Sequence, residues 1–247
     1  MEERRYDVKI LLIGHGRWGS KLRERLDVLL GTENVGLYDS DPAKLEGFSE
    51  RLRDIAWADA CVIATPPSSH CIIAARCLDA GKPVLVEKPL CLSSSETHYL
   101  TNIASKRGLT LMCDDTWMYH DRCKGLLQRK ENLLVARFKW KNPRISPSQE
   151  GILWTLGPHV ISLMLEGFKD KPVKVEGEIT PRLASISYRF KKGDAHVMLS
   201  WDIKERERGF ELLWSDGHET SFDDRKDVPT EEPIVKMLKT FLEYAGR

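Results

Sequence analysis

Short apolar runs alternate with helical repeats along the first half of the chain. The first run covers residues 7–13, and its nearly continuous apolar character is typical of a parallel strand that is buried on both faces. Apolar side chains then recur at helical spacing up to Gly31, a residue type that commonly ends helices. Further strands are predicted at residues 35–38, 61–64, 83–86 and 109–113, with helices at 68–80 and 93–106. Repeated strand–helix units of this length predict a doubly wound parallel sheet.

The period of the pattern changes in the second half. Residues 134–141 alternate strictly, which predicts a strand with Leu134, Ala136, Phe138 and Trp140 on its apolar face. A helix is predicted at residues 151–165, interrupted at Gly157-Pro158. From residue 173 several runs with a period of two are separated by turn residues, which indicates antiparallel strands joined by hairpins. A closing helix is predicted at residues 231–244.

A glycine triplet follows the first predicted strand at once. Gly14, Gly16 and Gly19 stand at G-x-G-x-x-G spacing between that strand and the next helix. There the first glycine permits a tight turn, the second lets a pyrophosphate approach the backbone, and the third lets the helix pack against the strand. The second strand ends at Asp39, where a carboxylate accepts the ribose hydroxyls of NAD and repels the 2′-phosphate of NADP. NAD is therefore the expected cofactor, and NADP is possible because the small Ser40 can tolerate a phosphate.

These features predict a chain of two domains in the α/β class. Residues 1–118 form a dinucleotide-binding Rossmann domain with a doubly wound parallel sheet. Residues 119–247 form a smaller α+β domain with a mostly antiparallel open sheet. A chain of 247 residues is long enough for both.

Charge and cysteine usage narrow the class of partner. The chain carries 38 Lys and Arg against 37 Asp and Glu, so it has no net field to attract nucleic acid or an acidic membrane. A small molecule is the expected substrate. The six cysteines form no C-x-x-C pair and several lie in apolar runs, which favours buried reduced thiols over disulfides or zinc, and no metal site is expected. Charged residues at positions 2–5 do not resemble a signal peptide, and no apolar run is long enough to span a bilayer, so a cytoplasmic location is predicted.

A lysine stands at the end of the strand predicted at residues 83–86. Pro89 disfavours helical geometry for the preceding residue, so we expect Lys88 to be held in an extended or turn conformation. Open parallel sheets bind ligands just beyond the carboxyl ends of their strands, which places Lys88 in the expected crevice. The predicted cofactor contacts are Gly14, His15, Gly16, Arg17, Trp18, Gly19, Asp39, Ser40, Thr65, Pro66, Pro67, His70, Glu87 and Lys88.

Four motifs in this order resemble the glucose-fructose oxidoreductase/inositol dehydrogenase (Gfo/Idh/MocA) family of NAD(P)-dependent oxidoreductases. They are the glycine triplet, Ala64-Thr65-Pro66-Pro67-x-x-His70, Ala80-Gly81-Lys82-Pro83-Val84 leading into Glu87-Lys88-Pro89, and Gly157-x-His159. The resemblance implies hydride transfer between nicotinamide and a hydroxyl or ketone carbon of a sugar, a cyclitol or a similar polar molecule. It implies that Lys88 lies near the nicotinamide and the reacting oxygen, and that His159 is the acid or base on that oxygen. Histidine suits this role because it titrates near neutral pH.

The chain departs from the family at Thr155. Family members commonly carry an aspartate there, four residues before the histidine, where it can face the imidazole or bind a substrate hydroxyl. Three interpretations stay open: alcohol oxidation with weaker support for His159 or with Asp114 or Asp115 as the acid; reduction of an imine or another C=N or C=O group; and a catalytically inactive NAD-binding regulatory or scaffold protein.

The resemblance also implies that the second domain, residues 119–247, binds substrate and supports oligomerisation. Tyr119, at the crossing into that domain, is a candidate substrate contact together with Thr155 and His159. Relatives often associate through the C-terminal sheet, and the many aromatic residues after position 186 are expected on its outer face, so a homodimer or homotetramer is predicted. The C-terminal domain is expected to be shorter than is usual in the family.

Overall fold

The chain divides into two compact units, described by a computed structural model for residues 6–143 and 151–246. The first unit comprises Met1–Asp114 and Ile234–Arg247, and the second comprises Asp115–Pro233. The predicted boundary after Met118 lies four residues beyond this division. The closing helix belongs to the first unit and not, as predicted, to the second, because an amphipathic pattern identifies a buried face without identifying what covers it. The charged residues 2–5 lie outside the described residues.

The first unit contains a parallel five-stranded sheet in the order β2-β1-β3-β4-β5. An isolated parallel bridge between Leu37 and Leu52 lies beyond β2 and occupies the place of a further edge strand. With that bridge the order is that of the doubly wound Rossmann sheet, so the predicted fold class is confirmed. The strands are β1 (Ile10–Ile13), β2 (Val35–Tyr38), β3 (Ala60–Ile63), β4 (Val84–Val86) and β5 (Leu111–Cys113).

Both faces of this sheet are covered. Leu11 and Ile13 pack in one cluster with apolar residues of the helices that follow β3 and β4, and Ile10 and Leu12 on the opposite face are fully buried. Burial on both faces explains the continuous apolar runs in the sequence. The helices of this unit are α1 (Arg17–Leu30), α2 (Pro67–Asp79), α3 (Ser94–Arg107) and the C-terminal α6 (Pro233–Ala245), with short 3-10 turns at Thr32–Asn34, Pro42–Leu45 and Ser49–Arg51.

The helix ends follow the sequence signals. Gly31 ends α1 at φ 83° and donates its backbone N–H to the carbonyl of Asp27. Asp41 accepts from the backbone N–H of Ala43, with Pro42 in the first position of the 3-10 turn. These caps fix where the chain turns at the edges of the sheet.

The second unit contains a six-stranded sheet in the order β11-β10-β6-β9-β8-β7. The pairing of β6 with β9 is parallel and the other pairings are antiparallel, which confirms the predicted mostly antiparallel sheet. Its strands are β6 (Leu133–Lys141), β7 (Lys174–Ile179), β8 (Leu183–Phe190), β9 (Gly193–Ser200), β10 (Glu207–Trp214) and β11 (Glu219–Asp223). Its helices are α4 (Asp121–Leu127) and α5 (Gly151–Phe168), preceded by a 3-10 turn at Thr116–Tyr119.

Helix α5 continues through Gly157-Pro158, so the predicted interruption is wrong. A proline inside a helix costs about 3 kcal/mol through the lost hydrogen bond and steric crowding. Burial of one large aliphatic side chain contributes about 1.5–3 kcal/mol, and α5 buries several of them against the sheet. Packing therefore outweighs the local cost. The buried side chains are Ile152, Leu156, Val160, Leu163 and Met164.

Two predictions about the second sheet are wrong in the direction that side chains face. Leu134 is 37% exposed, because a β-bulge in β6 turns it outward. On β10, Leu213 pairs with Val135 and the next residue, Trp214, pairs with Leu133, so Leu134 is the extra residue of the bulge. The aromatic residues lie on the inner face, in one core with α5, and not on the outer face. Trp201, Phe210 and Trp214 are each at most 2% exposed. The outer face instead presents charged and polar residues such as Arg137, Glu211 and His196.

The state of the cysteines and the lengths of the helices are as follows. All six cysteines are free thiols, and Cys61, Cys77, Cys91 and Cys123 are buried. Burial raises the pKa of Cys91 to about 11, which is typical of an unreactive thiol. Among the residues that the structure describes, no helix is both long and apolar enough to cross a membrane.

Candidate active site

The glycine triplet spans the turn between β1 and α1 and the first turn of α1. A different physical reason favours glycine at each of the three positions. Gly14 has φ 98°, and a Cβ there would lie 2.6 Å from the carbonyl oxygen of Ala64. A Cβ on Gly19 would lie 2.0 Å from the carbonyl oxygen of Gly14, so only glycine lets α1 approach the strand so closely. A Cβ on Gly16 would meet nothing within 4 Å. The second glycine therefore faces open space, as the approach of a pyrophosphate to the backbone requires.

The N-terminus of α1 points its positive dipole end at this open space. Gly16 is the N-cap, and no side chain hydrogen-bonds to the cap. Arg17, the first helical residue, is exposed, and a guanidinium there suits a phosphate partner. The Nε1 of Trp18 donates to Oδ2 of Asp114 at 3.1 Å. The loop and helix end thus fit the pyrophosphate of a dinucleotide.

Asp39, the acid at the end of β2, is tied to the glycine loop. Its Oδ2 accepts from the backbone N–H of His15 at 2.8 Å, and its Oδ1 accepts from the backbone N–H of Asp41 at 2.9 Å. The Nζ of Lys44 lies 3.5 Å from Oδ1. Burial alone would raise the pKa of Asp39, but the two backbone hydrogen bonds and the charge of Lys44 outweigh it and hold the pKa below its usual value. Ser40, the other predicted ribose contact, is exposed.

The turn after β3 carries the next predicted cofactor contacts. Pro66 is the N-cap of α2 and Pro67 is its first residue, which suits the fixed φ of proline. The hydroxyl of Ser69 donates to Oγ1 of Thr65 at 2.8 Å. The turn therefore presents Thr65, Pro66 and Pro67 at the carboxyl end of β3, beside the glycine loop that follows β1.

His70 differs from its predicted role. Its ring is 0% exposed, with Nε2 2.9 Å from the carbonyl oxygen of Thr65 and Nδ1 2.8 Å from the carbonyl oxygen of Pro89. A fully buried ring whose two nitrogens each lie within hydrogen-bond distance of a backbone carbonyl does not contact a cofactor directly. His70 instead links the turn after β3 to the segment after β4.

Lys88 is the second residue after the end of β4. It is half-buried, and the peptide bond between Lys88 and Pro89 is cis. The backbone N–H of Glu87 donates to the carbonyl of Ile63 at 2.8 Å, which continues the ladder between β3 and β4. Burial raises the pKa of Glu87 well above its usual value, the negative charge of Asp114 raises it further, and Lys88 opposes both. Glu87, Lys88 and Asp114 are therefore three interacting titratable groups at the carboxyl ends of β4 and β5.

The other predicted residues belong to the second unit. Tyr119 is the half-buried last residue of the 3-10 turn before α4. Thr155 and His159 lie one helical turn apart on α5, and the hydroxyl of Thr155 donates to the carbonyl of Gly151 at 2.8 Å. The ring of His159 lies 6.3 Å from that of Trp140, centroid to centroid. The pairing of Lys88 with His159 stays a prediction, as do the roles of Tyr119 and Thr155.

Sequence reasoning missed two residues of the first unit. Asp114 was considered only as a substitute acid, whereas it is 1% exposed and bonds the indole of Trp18. Lys44 was not considered, although it lies beside Asp39. A lysine five residues after the ribose acid, just past an Asp-Pro turn start, is a signal that could have found it. Among the described residues, no three His, Cys, Asp or Glu side chains lie close enough together to hold a metal ion.

Comparison with known proteins identifies the first domain. Residues 8–114 match the family model described as an oxidoreductase family with an NAD-binding Rossmann fold, Gfo/Idh/MocA. The N-terminal domain is therefore similar to the NAD-binding Rossmann domain of this family, in agreement with the resemblance drawn from the motifs.

Two curated relatives and one solved structure extend the comparison. The chain is 32% identical over 128 residues to dTDP-3,4-didehydro-2,6-dideoxy-alpha-D-glucose 3-reductase of Saccharopolyspora spinosa, covering 46% of this chain and 38% of the relative. It is 26% identical over 113 residues to myo-inositol dehydrogenase Hyg17 of Streptomyces leeuwenhoekii, covering 41% and 34%. The matched part is thus well under half of either relative. UDP-N-acetylglucosamine 3-dehydrogenase GnnA of Acidithiobacillus ferrooxidans superposes with a TM-score of 0.82 at 19% identity, over 96% of this chain and 88% of that one. This similarity extends the shared fold to the second unit.

Proposed function

We propose that the protein is an NAD(P)-dependent oxidoreductase that transfers hydride between the nicotinamide and a hydroxyl or ketone carbon of a sugar, a cyclitol or a similar polar small molecule. The observation that carries the proposal is the position of Lys88. It stands at the carboxyl end of β4 in the same sheet that presents the dinucleotide loop after β1. Relatives matched in sequence act on a dTDP-sugar and on myo-inositol by their names, which supports this substrate class.

The chain's own groups have defined tasks in this proposal. Bound NAD(P) supplies the hydride acceptor or donor. Lys88 donates a hydrogen bond to the reacting oxygen and stabilises negative charge that develops on it. His159 takes the proton from that oxygen during oxidation and returns it during reduction. The raised pKa of Glu87 limits the negative charge next to Lys88.

Turnover measurements with matched lysine variants test this function. Nicotinamide absorbance is followed with a panel of polyols, inositols and nucleotide-linked sugars. We expect Lys88→Met to lower kcat by roughly 10²–10³-fold, the usual cost of losing one donor to a developing oxyanion, while NADH still binds. Lys82→Met is the matched control, because Lys82-Pro83 precedes the strand that Lys88-Pro89 follows. Equal loss in both variants, or none in either, would contradict the role of Lys88.

The position of Thr155 favours a second candidate, reduction of an imine. Its hydroxyl is bonded within its own helix and cannot supply the negative charge of an aspartate beside His159. Reduction of a C=N bond that arrives already protonated needs less help from a base. NADH consumption with cyclic imines and no turnover of any polyol would support this candidate over the first.

We also propose that the protein acts in the cytoplasm as a homodimer or homotetramer that associates through the outer face of the second sheet. Residues of opposite charge lie near each other across this face, for example Lys139 and Glu211, and Arg189 and Asp194. Such an interface would be polar and sensitive to salt. Light scattering of the purified protein at low and high salt measures the mass. A monomer under both conditions would contradict the proposal.

A further inference from the structure

The carboxylate that should discriminate between NAD and NADP is enclosed by the protein's own groups. Both oxygens of Asp39 accept backbone N–H groups, from His15 and from Asp41, and Lys44 lies beside Oδ1. The side chain of Asp39 is 6% exposed, whereas that of Lys44 is 46% exposed. The group that an approaching ligand meets first is therefore the ammonium and not the carboxylate.

Rejection of NADP by such an acid depends on an uncompensated negative charge near the ribose 2′ position. The ion pair with Lys44 compensates that charge, and the backbone hydrogen bonds occupy the carboxylate. A partly exposed ammonium next to a buried carboxylate attracts an anion more than the carboxylate repels it, because the buried group is already neutralised. Ser40 adds an exposed hydroxyl that can donate to a phosphate oxygen.

The backbone of Lys44 is anchored to the glycine loop. Its carbonyl oxygen lies 2.8 Å from Nδ1 of His15, the residue between Gly14 and Gly16. The ring of His15 in turn packs edge-on against Phe48, with centroids 5.0 Å apart. These contacts hold the 3-10 turn of Lys44 against the loop, so the ammonium has a defined place at the end of β2.

We infer that this Rossmann domain binds NADP(H) as well as NAD(H), with Lys44 contacting the 2′-phosphate and with Asp39 acting as a positioning residue that joins the glycine loop to the turn after β2. The inference concerns dinucleotide binding alone. It holds whether or not the substrate class proposed above is correct, and its test does not depend on turnover.

Equilibrium binding of two pairs of ligands tests the role of Lys44. NADH and NADPH are titrated into the full chain by fluorescence, and 5′-AMP and 2′,5′-ADP by calorimetry, since the second pair differs only in the 2′-phosphate. We expect the wild type to bind NADPH within about tenfold of NADH. Lys44→Gln should lower the affinities for NADPH and 2′,5′-ADP by about tenfold, as expected for the loss of one charge-assisted contact. The affinities for NADH and 5′-AMP should stay within about twofold of the wild-type values.

Lys106→Gln is the matched control. It removes the same charge from the same unit at the C-terminal end of α3, a helix that ends at the opposite edge of the sheet, and it should change none of the four affinities. Circular dichroism confirms that each variant is folded. NADPH binding more than about 100-fold weaker than NADH in the wild type would overturn the inference, as would equal affinities of wild type and Lys44→Gln for 2′,5′-ADP.

The variant Asp39→Asn distinguishes a positioning role of Asp39 from direct discrimination against the 2′-phosphate. The amide nitrogen of Asn cannot accept a hydrogen bond, so one of the two backbone N–H groups loses its acceptor. If Asp39 is a positioning residue, the substitution should therefore weaken the binding of NADH and of NADPH by similar factors. The ratio of the two affinities should stay within about threefold of the wild-type ratio. If Asp39 instead repels the 2′-phosphate directly, the variant gains NADPH affinity relative to NADH by about tenfold or more, and the positioning role is wrong.

Discussion

The ring of His70 joins two backbone segments of the dinucleotide-binding unit: its Nδ1 lies 2.8 Å from the carbonyl oxygen of Pro89, and its Nε2 lies 2.9 Å from that of Thr65. His70 thereby connects the turn after β3 to the residue that follows Lys88. We expect His70→Leu to lower the free energy of unfolding by about 1–3 kcal/mol, because a buried carbonyl group that accepts from the ring loses its donor. Urea unfolding followed by circular dichroism measures the change.

His98→Leu is the control for that prediction. His98 is exposed on α3, so its replacement should change the free energy of unfolding by less than about 0.5 kcal/mol. We also expect His70→Leu to lower kcat more than it lowers NADH affinity, because the displaced carbonyl belongs to the Lys88-Pro89 segment. Equal stability of the His70 and His98 variants would show that the link does not contribute to folding.

The raised pKa of Glu87 makes the stability of the protein depend on pH. A carboxyl group whose pKa is higher in the folded chain than in the unfolded chain binds more protons in the folded state. Its contribution to the free energy of unfolding is therefore complete below the pKa of the unfolded chain and is lost as pH rises through the pKa of the folded chain. Each pH unit between the two values costs the wild type about 1.4 kcal/mol. Glu87→Gln mimics the protonated form and escapes this cost.

The measurement is Tm for both proteins at several pH values. We expect Glu87→Gln and wild type to melt at similar temperatures near about pH 4, with the variant increasingly more stable toward about pH 8. Glu96→Gln, a change of the same kind at the start of α3, keeps an oxygen that accepts from Ser93 and removes only a negative charge from the helix N-terminus, so it should instead lower Tm slightly at neutral pH. A constant difference between Glu87→Gln and wild type at all pH values would contradict the assigned burial of Glu87.

Local patterns predicted the first unit well because each signal there has a local physical cause. Gly14 has a positive φ in the β1–α1 turn, Gly19 is required by a contact with Gly14 in the same turn, and Asp41-Pro42 starts its turn through the side chain of Asp41. The cofactor-binding fold could therefore be predicted from sequence. The position of Lys44 beside Asp39 could not, because it depends on how a 3-10 turn packs against His15.

The second unit shows where local rules give way to tertiary packing. Pro158 predicts a break, but burial of the neighbouring helix face keeps α5 continuous. Strict alternation places Leu134 in the core, but a bulge that only strand pairing reveals turns it outward. Aromatic residues such as Trp214 identify a packed face, and the sequence does not say which side of the sheet the helix covers.

Alanine at each glycine of the triplet should separate folding from cofactor binding. Gly16→Ala adds a Cβ that meets no atom within 4 Å, so we expect an unchanged Tm. NADH affinity should fall by about tenfold or more, because the methyl group occupies the space into which the pyrophosphate comes closest to the backbone. Gly19→Ala should lower Tm, since its Cβ would clash with the carbonyl of Gly14 at 2.0 Å. Unchanged NADH binding by Gly16→Ala would place the pyrophosphate elsewhere.

Thr155→Asp tests whether the missing carboxylate limits His159. The two residues lie one turn apart on α5, and a negative charge at that distance favours the protonated imidazole. If His159 is the base for alcohol oxidation, the variant should raise kcat for polyols by about tenfold or more and move the acidic limb of the kcat profile to higher pH. Thr155→Asn, of the same shape without the charge, should do neither. If the acidic limb shifts in both variants, or in neither, a negative charge at position 155 does not affect proton transfer by His159. That result would favour a reaction that does not use His159 as a base.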